Sequence, residues 1–453
     1  MKALLVSSYE LGHQPLHVAS PAASLRRAGH AVRCRDLSVQ DWDESDIDWA
    51  DAVAFSVPMH TAMRLAVHAT KRIHESHPDL PICFYGLYAN IGNRTRMGPA
   101  VKTIAGEYEA ELLAWLDSRA SDMKNPVPGQ PVVDLARQEF QVPARADLPR
   151  LDGYARLAVG AERRLAGYVE ASHGCVHRCT HCPVPAVYDG KIRIVAHEVV
   201  LEDIANLVSM GAKHITFGDP DFLNGPRHSL RIVRSMHEKF PDLTFDCTTK
   251  VQHILRHETI WSEMAGSGCV FVVSAFECFN DKILDRLDKG HTARDAERAV
   301  ELLRRHGIEP RPSFLPFTPW TEFQDIFDIL DFVAANDLVG NVDPIQYTIR
   351  LLVPRTSLLH NDPNFGDFFG DFDEDRLSYA WQSMDPRLDA LQNRLVKIAE
   401  HASQQEESSL ETFIKIGEAV VGAAGTGSAR SRIEFAAPSV DRRAPRLTEP
   451  WFC

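Results

Sequence analysis

Three cysteines crowd into the stretch HGCVHRCTHCP, residues 173–183, as Cys175, Cys179 and Cys182. Thiols packed this closely point to a metal or a cluster, because soft sulfur donors suit zinc, copper(I) and iron–sulfur centres. Zinc is one reading, with His173, His177 or His181 as the fourth ligand. Structural zinc usually draws on two separated ligand pairs, whereas here all three thiols share one loop. A 4Fe–4S cluster held by three thiolates keeps one iron open, and an open coordination position is where chemistry happens.

Other chemistry-bearing residues fall at the ends of predicted strands. ITFGDPDF offers Gly218, Asp219 and Asp221. A carboxylate there can accept hydrogen bonds from an ammonium group, although Asp also caps helices well. VVSAFECFNDKILDRLDKGHT places Glu277 at another strand end, with a surface salt bridge as its plainer role. LPFTPWT brings Thr318 and Trp320 to the same rim, either to line a ligand or to pack. Cys247 and Cys278 lie near strand ends as well. A free Cys commonly packs as a small apolar group, but a thiol facing the site would be a soft ligand. The last residue, Cys453, follows Trp451 and Phe452, which are poor residues for a solvated tail. The hinge GAAGTGSARS would give it reach, against the plain reading of a disordered end.

The elements that must position these residues alternate between strand and helix. Residues 1–120 read as an α/β domain with a parallel, flavodoxin-like sheet, opening on the apolar strand KALLVSS. Residues 121–165 are rich in Pro, show little periodicity and read as a linker. Residues 166–360 give a strand before the cysteine loop and about five βα units after it, a partial (β/α)6 barrel with its chemistry at the C-terminal strand ends. Residues 361–422 form a small helical region that restarts at Asp385 and Pro386, and residues 423–453 form a flexible, Cys-ended tail.

Net charge is −13 with no long basic cluster, which argues against nucleic acid as a partner. No apolar run approaches the roughly 20 residues of a membrane span. Nine cysteines, an odd number, fit a reduced cytoplasmic protein better than a disulfide framework.

C-x3-C-x2-C after the first strand of a βα barrel resembles the radical S-adenosylmethionine (radical SAM) superfamily. The resemblance implies that S-adenosylmethionine chelates the open iron, and that the reduced cluster breaks one of its C–S bonds. It implies cofactor contacts at His181, Gly218, Asp219, Asp221, Glu277 and Thr318, and an electron donor such as flavodoxin or ferredoxin. The Glu277 region resembles the G-x-E-S…L-x-K-G-H-T segment of the cobalamin-type branch, with the flanking Gly and Ser changed. YGLYAN followed by IAGEYEAELLAWL, with Glu107 and Glu109, resembles the end of a cobalamin-binding domain, so cobalamin is a further implied cofactor. The D-x-H-x-x-G signature is missing, and SSYELGHQP supplies only His13. RLTEPWFC resembles the CUAEP/CCAEP-tail radical SAM proteins as far as the first Cys. That likeness implies an arsinothricin-type reaction, transfer of a 3-amino-3-carboxypropyl group to arsenite, with Cys453, Cys247 and Cys278 as arsenic ligands. The alternatives are a cobalamin-dependent methyltransferase or C–C bond-forming enzyme using a 5′-deoxyadenosyl radical, and a corrinoid or zinc sensor without turnover.

Overall fold

The computed structural model describes residues 1–91, 101–120, 132–425 and 444–449. The apolar run at the start becomes β1 (Lys2–Ser7), buried from Ala3 onward, as expected of a strand covered on both faces. It joins β2 (Ala31–Asp36), β3 (Ala52–Ser56), β4 (Ile82–Tyr85), β5 (Lys102–Gly106) and β6 (Val132–Asp134) in the order β2-β1-β3-β4-β5-β6. Every pairing is parallel. Strand order reverses at β1, and in such sheets the ligand crevice lies outside the carboxyl ends at that switch point.

The stretch read as a linker does more than cross the surface. It supplies β6, and it places Arg145 in a buried ion pair with Asp203 at 2.8 Å. A three-residue strand leaves no readable period, which is why the sequence does not announce it.

A hairpin of β7 (Arg156–Val159) and β8 (Glu162–Val169) opens the second sheet. β9 (Ser172–Gly174) and β10 (Ile192–Ile194) form a small antiparallel ribbon. The sheet then continues through β11 (His214–Phe217), β12 (Thr244–Thr248), β13 (Cys269–Glu277) and β14 (Glu309–Phe314), all parallel to β8. A single parallel bridge, Phe317 to Arg350, marks the sixth position of the barrel. Helices between these strands bury their apolar stripes in the largest core; Val200, Ile204 and Leu207 of the helix His197–Ser209 are examples.

β15 (Phe369–Asp373) and β16 (Ser378–Trp381) form a hairpin, and the helices Pro386–Gln404 and Ser409–Ala424 pack behind the barrel. Asp385 caps the first of these helices, accepting from Arg387 N–H, as its place before Pro386 suggests. Within the segment read as a flexible tail, residues 446–447 form β17 (Arg446–Leu447), antiparallel to β7. Arg311 of β14 donates to Pro445 O and pairs with Asp343, so the returning chain also touches the opposite edge of the sheet. Among the described residues no helix is long and apolar enough to cross a membrane.

Candidate active site

The cysteine loop leaves β9 at Gly174 and ends where the helix Pro183–Tyr188 begins. Gly174 has φ +77, and a Cβ there would lie 2.4 Å from Lys191 O, so only glycine fits this exit. On one side Asn224 holds the loop, accepting from Val176 N–H and donating to Gly174 O. On the other side Thr180 N–H donates to Leu287 O, and its hydroxyl to Arg286 O. Cys175 and Cys179 are buried and Cys182 is half-buried. Burial pushes the Cys182 thiol up to about 12 and raises Cys175 as well. Positive charge answers that burial: the Lys250 ammonium lies 3.3 Å from Cys179 Sγ, and Lys289 faces Cys179 and Cys182.

A cubane cluster fits this donor set. Cys182 lies near both Cys179 and Cys175, while Cys247, Cys269 and Cys278 belong to the packed core. His181, in the same loop, gives Nε2 to Glu277 at 3.1 Å and leaves Nδ1 buried without a partner among the described residues. An orphaned buried donor beside the loop fits a group bound there.

The carboxylates expected to meet the co-substrate are otherwise engaged. Asp219 accepts from Ala171 N–H at 2.9 Å and Ser172 Oγ at 2.6 Å. Burial nevertheless pushes its carboxyl up to about 7. Asp221 is fully buried; it caps Leu223 N–H, accepts from the Thr249 hydroxyl at 2.7 Å and sits 2.9 Å from His253 Nδ1. His253 in turn meets His177 of the cysteine loop at 3.2 Å between Nε2 atoms. Both aspartates therefore knit loops together through buried hydrogen bonds. Gly218 stays at the rim, where a Cβ would strike the Tyr168 ring. Thr318 is buried in a turn, bonded to the Thr321 hydroxyl and accepting from Trp320 N–H.

Glu277 ends β13 with φ +64, a left-handed conformation that is rare outside glycine. Burial opposes its charge, but the Lys289 ammonium at 2.8 Å and His181 hold it well below the usual carboxylate range. It is thus an ionised carboxylate at the barrel rim beside the cysteine loop.

Of the three cysteines expected to hold arsenic, Cys247 and Cys278 are buried in the core. Cys247 lies in the helix-facing core; its hydrogen bond with Cys269, then burial, raises the thiol well above its ordinary value. Its neighbour Asp246 points the other way, to His214 and Thr216 of β11. Cys278 is buried with its thiol near Asn280 O, and burial pushes it up to about 12. Cys453 lies outside the described residues.

A cleft with roughly 870 Å³ of empty space, its mouth included, opens between the two sheets. Glu10, Met59, Leu87 and Tyr108 come from the carboxyl ends of the first sheet, and Gly218 and Tyr188 from the barrel side. Gly86 and Gly106, at φ +111 and +84, keep the first wall low. A charged chain crosses it: Glu107 to His173 at 3.0 Å, His173 to Glu170 at 3.3 Å, and Glu170 to His17 at 3.3 Å. Burial disfavours charge on all four, yet pairing prevails. His173 is raised to about 10 and His17 to about 9, Glu170 is lowered to about 2, and Glu107 is lowered. His13 also lines the cleft, packed on Tyr168 at 4.7 Å between rings, and burial holds it down to about 4. Lys250, His253, Asn224, Glu170 and His17 escape sequence reading; Glu107 carried a motif with Glu109, and His173 and His177 stood in the cysteine loop.

Residues 169–333 match the radical SAM superfamily model. An uncharacterized methyltransferase of Pyrococcus horikoshii is 24% identical over 193 residues, 42% of this chain and 41% of that protein. The match thus spans less than half of that relative's length. The cobalamin-dependent S-adenosylmethionine radical enzyme OxsB, with aqua-cobalamin and S-adenosylmethionine bound, superposes with a TM-score of 0.72 at 14% identity, covering 93% of this chain and 72% of OxsB. The radical S-adenosylmethionine methyltransferase TsrM from Kitasatospora setae, with cobalamin and a 4Fe–4S cluster bound, gives 0.59 at 16%, covering 79% and 73%. At these identities the likeness to the two structures is one of fold. Residues 169–333 are thus a radical SAM domain by their match to that superfamily's model.

Proposed function

We propose that this chain is a cobalamin-dependent radical SAM methyltransferase or C–C bond-forming enzyme. One observation carries the reading: the cysteine loop packs directly on the first sheet. Cys175, Cys182, Val184 and Tyr188 form one apolar cluster with Ala105 of β5 and Leu87. A flat cofactor lying on the carboxyl ends of the first sheet would therefore face the cluster loop across the cleft. The curated relative named as a methyltransferase and the two cobalamin-bound neighbours in fold support the same direction.

Cys175, Cys179 and Cys182 would hold three irons, leaving one for S-adenosylmethionine, with ionised Glu277 at that rim. When bound, the reduced cluster supplies the electron that breaks a C–S bond of the co-substrate. The chain itself orients and encloses. Asn224 and the His177–His253–Asp221 line fix the loop, and Glu107, His173, Glu170 and His17 close the junction with buried charge.

Transfer of an aminocarboxypropyl group to arsenite is the second reading. With Cys247 and Cys278 in the core, it rests on Cys453 alone. Anaerobic reconstitution with iron, sulfide and hydroxocobalamin tests both. Expected are one tightly held corrinoid per chain and, with reductant, 5′-deoxyadenosine or S-adenosylhomocysteine from S-adenosylmethionine. Methylthioadenosine formed only with arsenite, and no retained corrinoid, would reverse the choice.

A further inference from the structure

Lys250 follows β12 and is almost fully buried. Its ammonium donates to Cys179 Sγ at 3.3 Å. The backbone beneath it is clamped by Asp221, which accepts from the Thr249 hydroxyl at 2.7 Å and from Lys250 N–H at 3.3 Å. A second buried ammonium, Lys289, faces the same loop, but the Glu277 carboxylate lies 2.8 Å away and balances it. Among the described residues, no carboxylate pairs with the Lys250 ammonium, and its bond is to the thiol.

The geometry points to Lys250 as the residue that sets the reduction potential of the cluster. This rests on the reading of Cys175, Cys179 and Cys182 as cluster ligands. One electron from an external reductant adds one negative charge to the cluster and its thiolates, with no proton taken up. A fixed positive charge that donates a hydrogen bond to a ligating sulfur stabilises the reduced form more than the oxidised form. Burial strengthens the effect, because little water stands between the charges to screen them. Lys289 contributes less field, since Glu277 cancels it. Asp221 then acquires a role its motif did not suggest: it aims Lys250 at Cys179, and so is a positioning residue.

The test uses the full chain reconstituted anaerobically with iron and sulfide, without S-adenosylmethionine. The reduced cluster is followed by electron paramagnetic resonance during a redox titration of wild type, Lys250→Met, Lys250→Arg and Glu277→Gln. Lys250→Met should be harder to reduce by about tenfold in the equilibrium, a shift of about 59 mV for one electron. Lys250→Arg should stay near wild type. Glu277→Gln, which uncovers the Lys289 charge, should shift the opposite way. A Lys250→Met midpoint equal to wild type overturns the inference. So does an unchanged midpoint together with weakened S-adenosylmethionine binding, read in a separate equilibrium titration of the reconstituted protein, which would give Lys250 to the co-substrate carboxylate. If Lys250→Met takes up no cluster, Glu277→Gln decides, and an unshifted midpoint there overturns the inference. A wild-type protein with no cluster signal would instead sink the reading of the loop itself.

Discussion

At the scale of single residues, the loop thiols and Asp221 make different predictions. Cys179→Ser removes one of three cluster ligands, so bound iron and S-adenosylmethionine cleavage should both fall to background while far-ultraviolet circular dichroism stays unchanged. Asp221→Ala strips acceptors from Leu223 N–H and the Thr249 hydroxyl and a partner from His253, all in a buried setting. The expected loss is about 3 kcal/mol in a urea melt; a melt unchanged from wild type would return Asp221 to a purely ligand-facing role. The cysteines were legible because their spacing is local. What holds them was not: Asn224, Lys250 and His253 arrive from distant turns without any periodic mark. Asp219 and Asp221 were visible as charges near a strand end, but the sequence does not show the hydroxyls and N–H groups that already occupy them. Cys247 was placed near a strand end correctly, yet a strand's two-residue period sends it and Asp246 to opposite faces, and the lumen received the aspartate.

At the scale of elements, the alternation of strands and helices read well, because helices such as His197–Ser209 carry their apolar stripe on one face. β6 and β17 were missed, being three and two residues long. The helix Leu16–Arg27 meets the barrel through His17 and Glu170, and this contact should depend on pH. The folded pKa of His17, about 9, stands above its ordinary 6.5, so its contribution is complete below 6.5 and is lost as pH rises through 9. Glu170, near 2 against an ordinary 4.5, contributes fully above 4.5 and loses that as pH falls through 2. Glu10, pushed up to about 7 by burial, weakens the junction in the same direction as His17 when pH rises. Amide exchange in this helix, corrected for intrinsic rate, should be slowest near pH 4.5, where the Glu10 and Glu170 effects meet, and should quicken as pH rises through 7 and on toward 9. His17→Gln should flatten the His17 part of that rise. A second element-scale expectation concerns the exit from β9. Gly174→Ala forces a Cβ against Lys191 O, so cluster uptake should fail although both sheets persist.

At the scale of the whole molecule, a parallel sheet and a mixed sheet face each other across the cleft, and the returning segment 444–449 braces them. β17 covers the free edge of β7, Thr448 exchanges hydrogen bonds with Arg156, and Glu449 accepts from the Tyr9 hydroxyl at 2.9 Å. Tyr9 belongs to the loop whose next residues, Glu10 and Leu11, line the cleft. Glu449→Ala should therefore loosen cobalamin retention severalfold without changing cluster content, measured by corrinoid bound after gel filtration. The same brace imposes an order in time. Tyr9 and Glu449 are 440 residues apart, and at ribosomal speeds of roughly 5–20 residues per second that gap lasts on the order of tens of seconds. The first sheet can fold early on the ribosome, but the loop beside its cleft waits for its partner until translation has passed Glu449. A nascent chain stalled before residue 444 should present a folded first sheet whose Tyr9 loop is still open to protease.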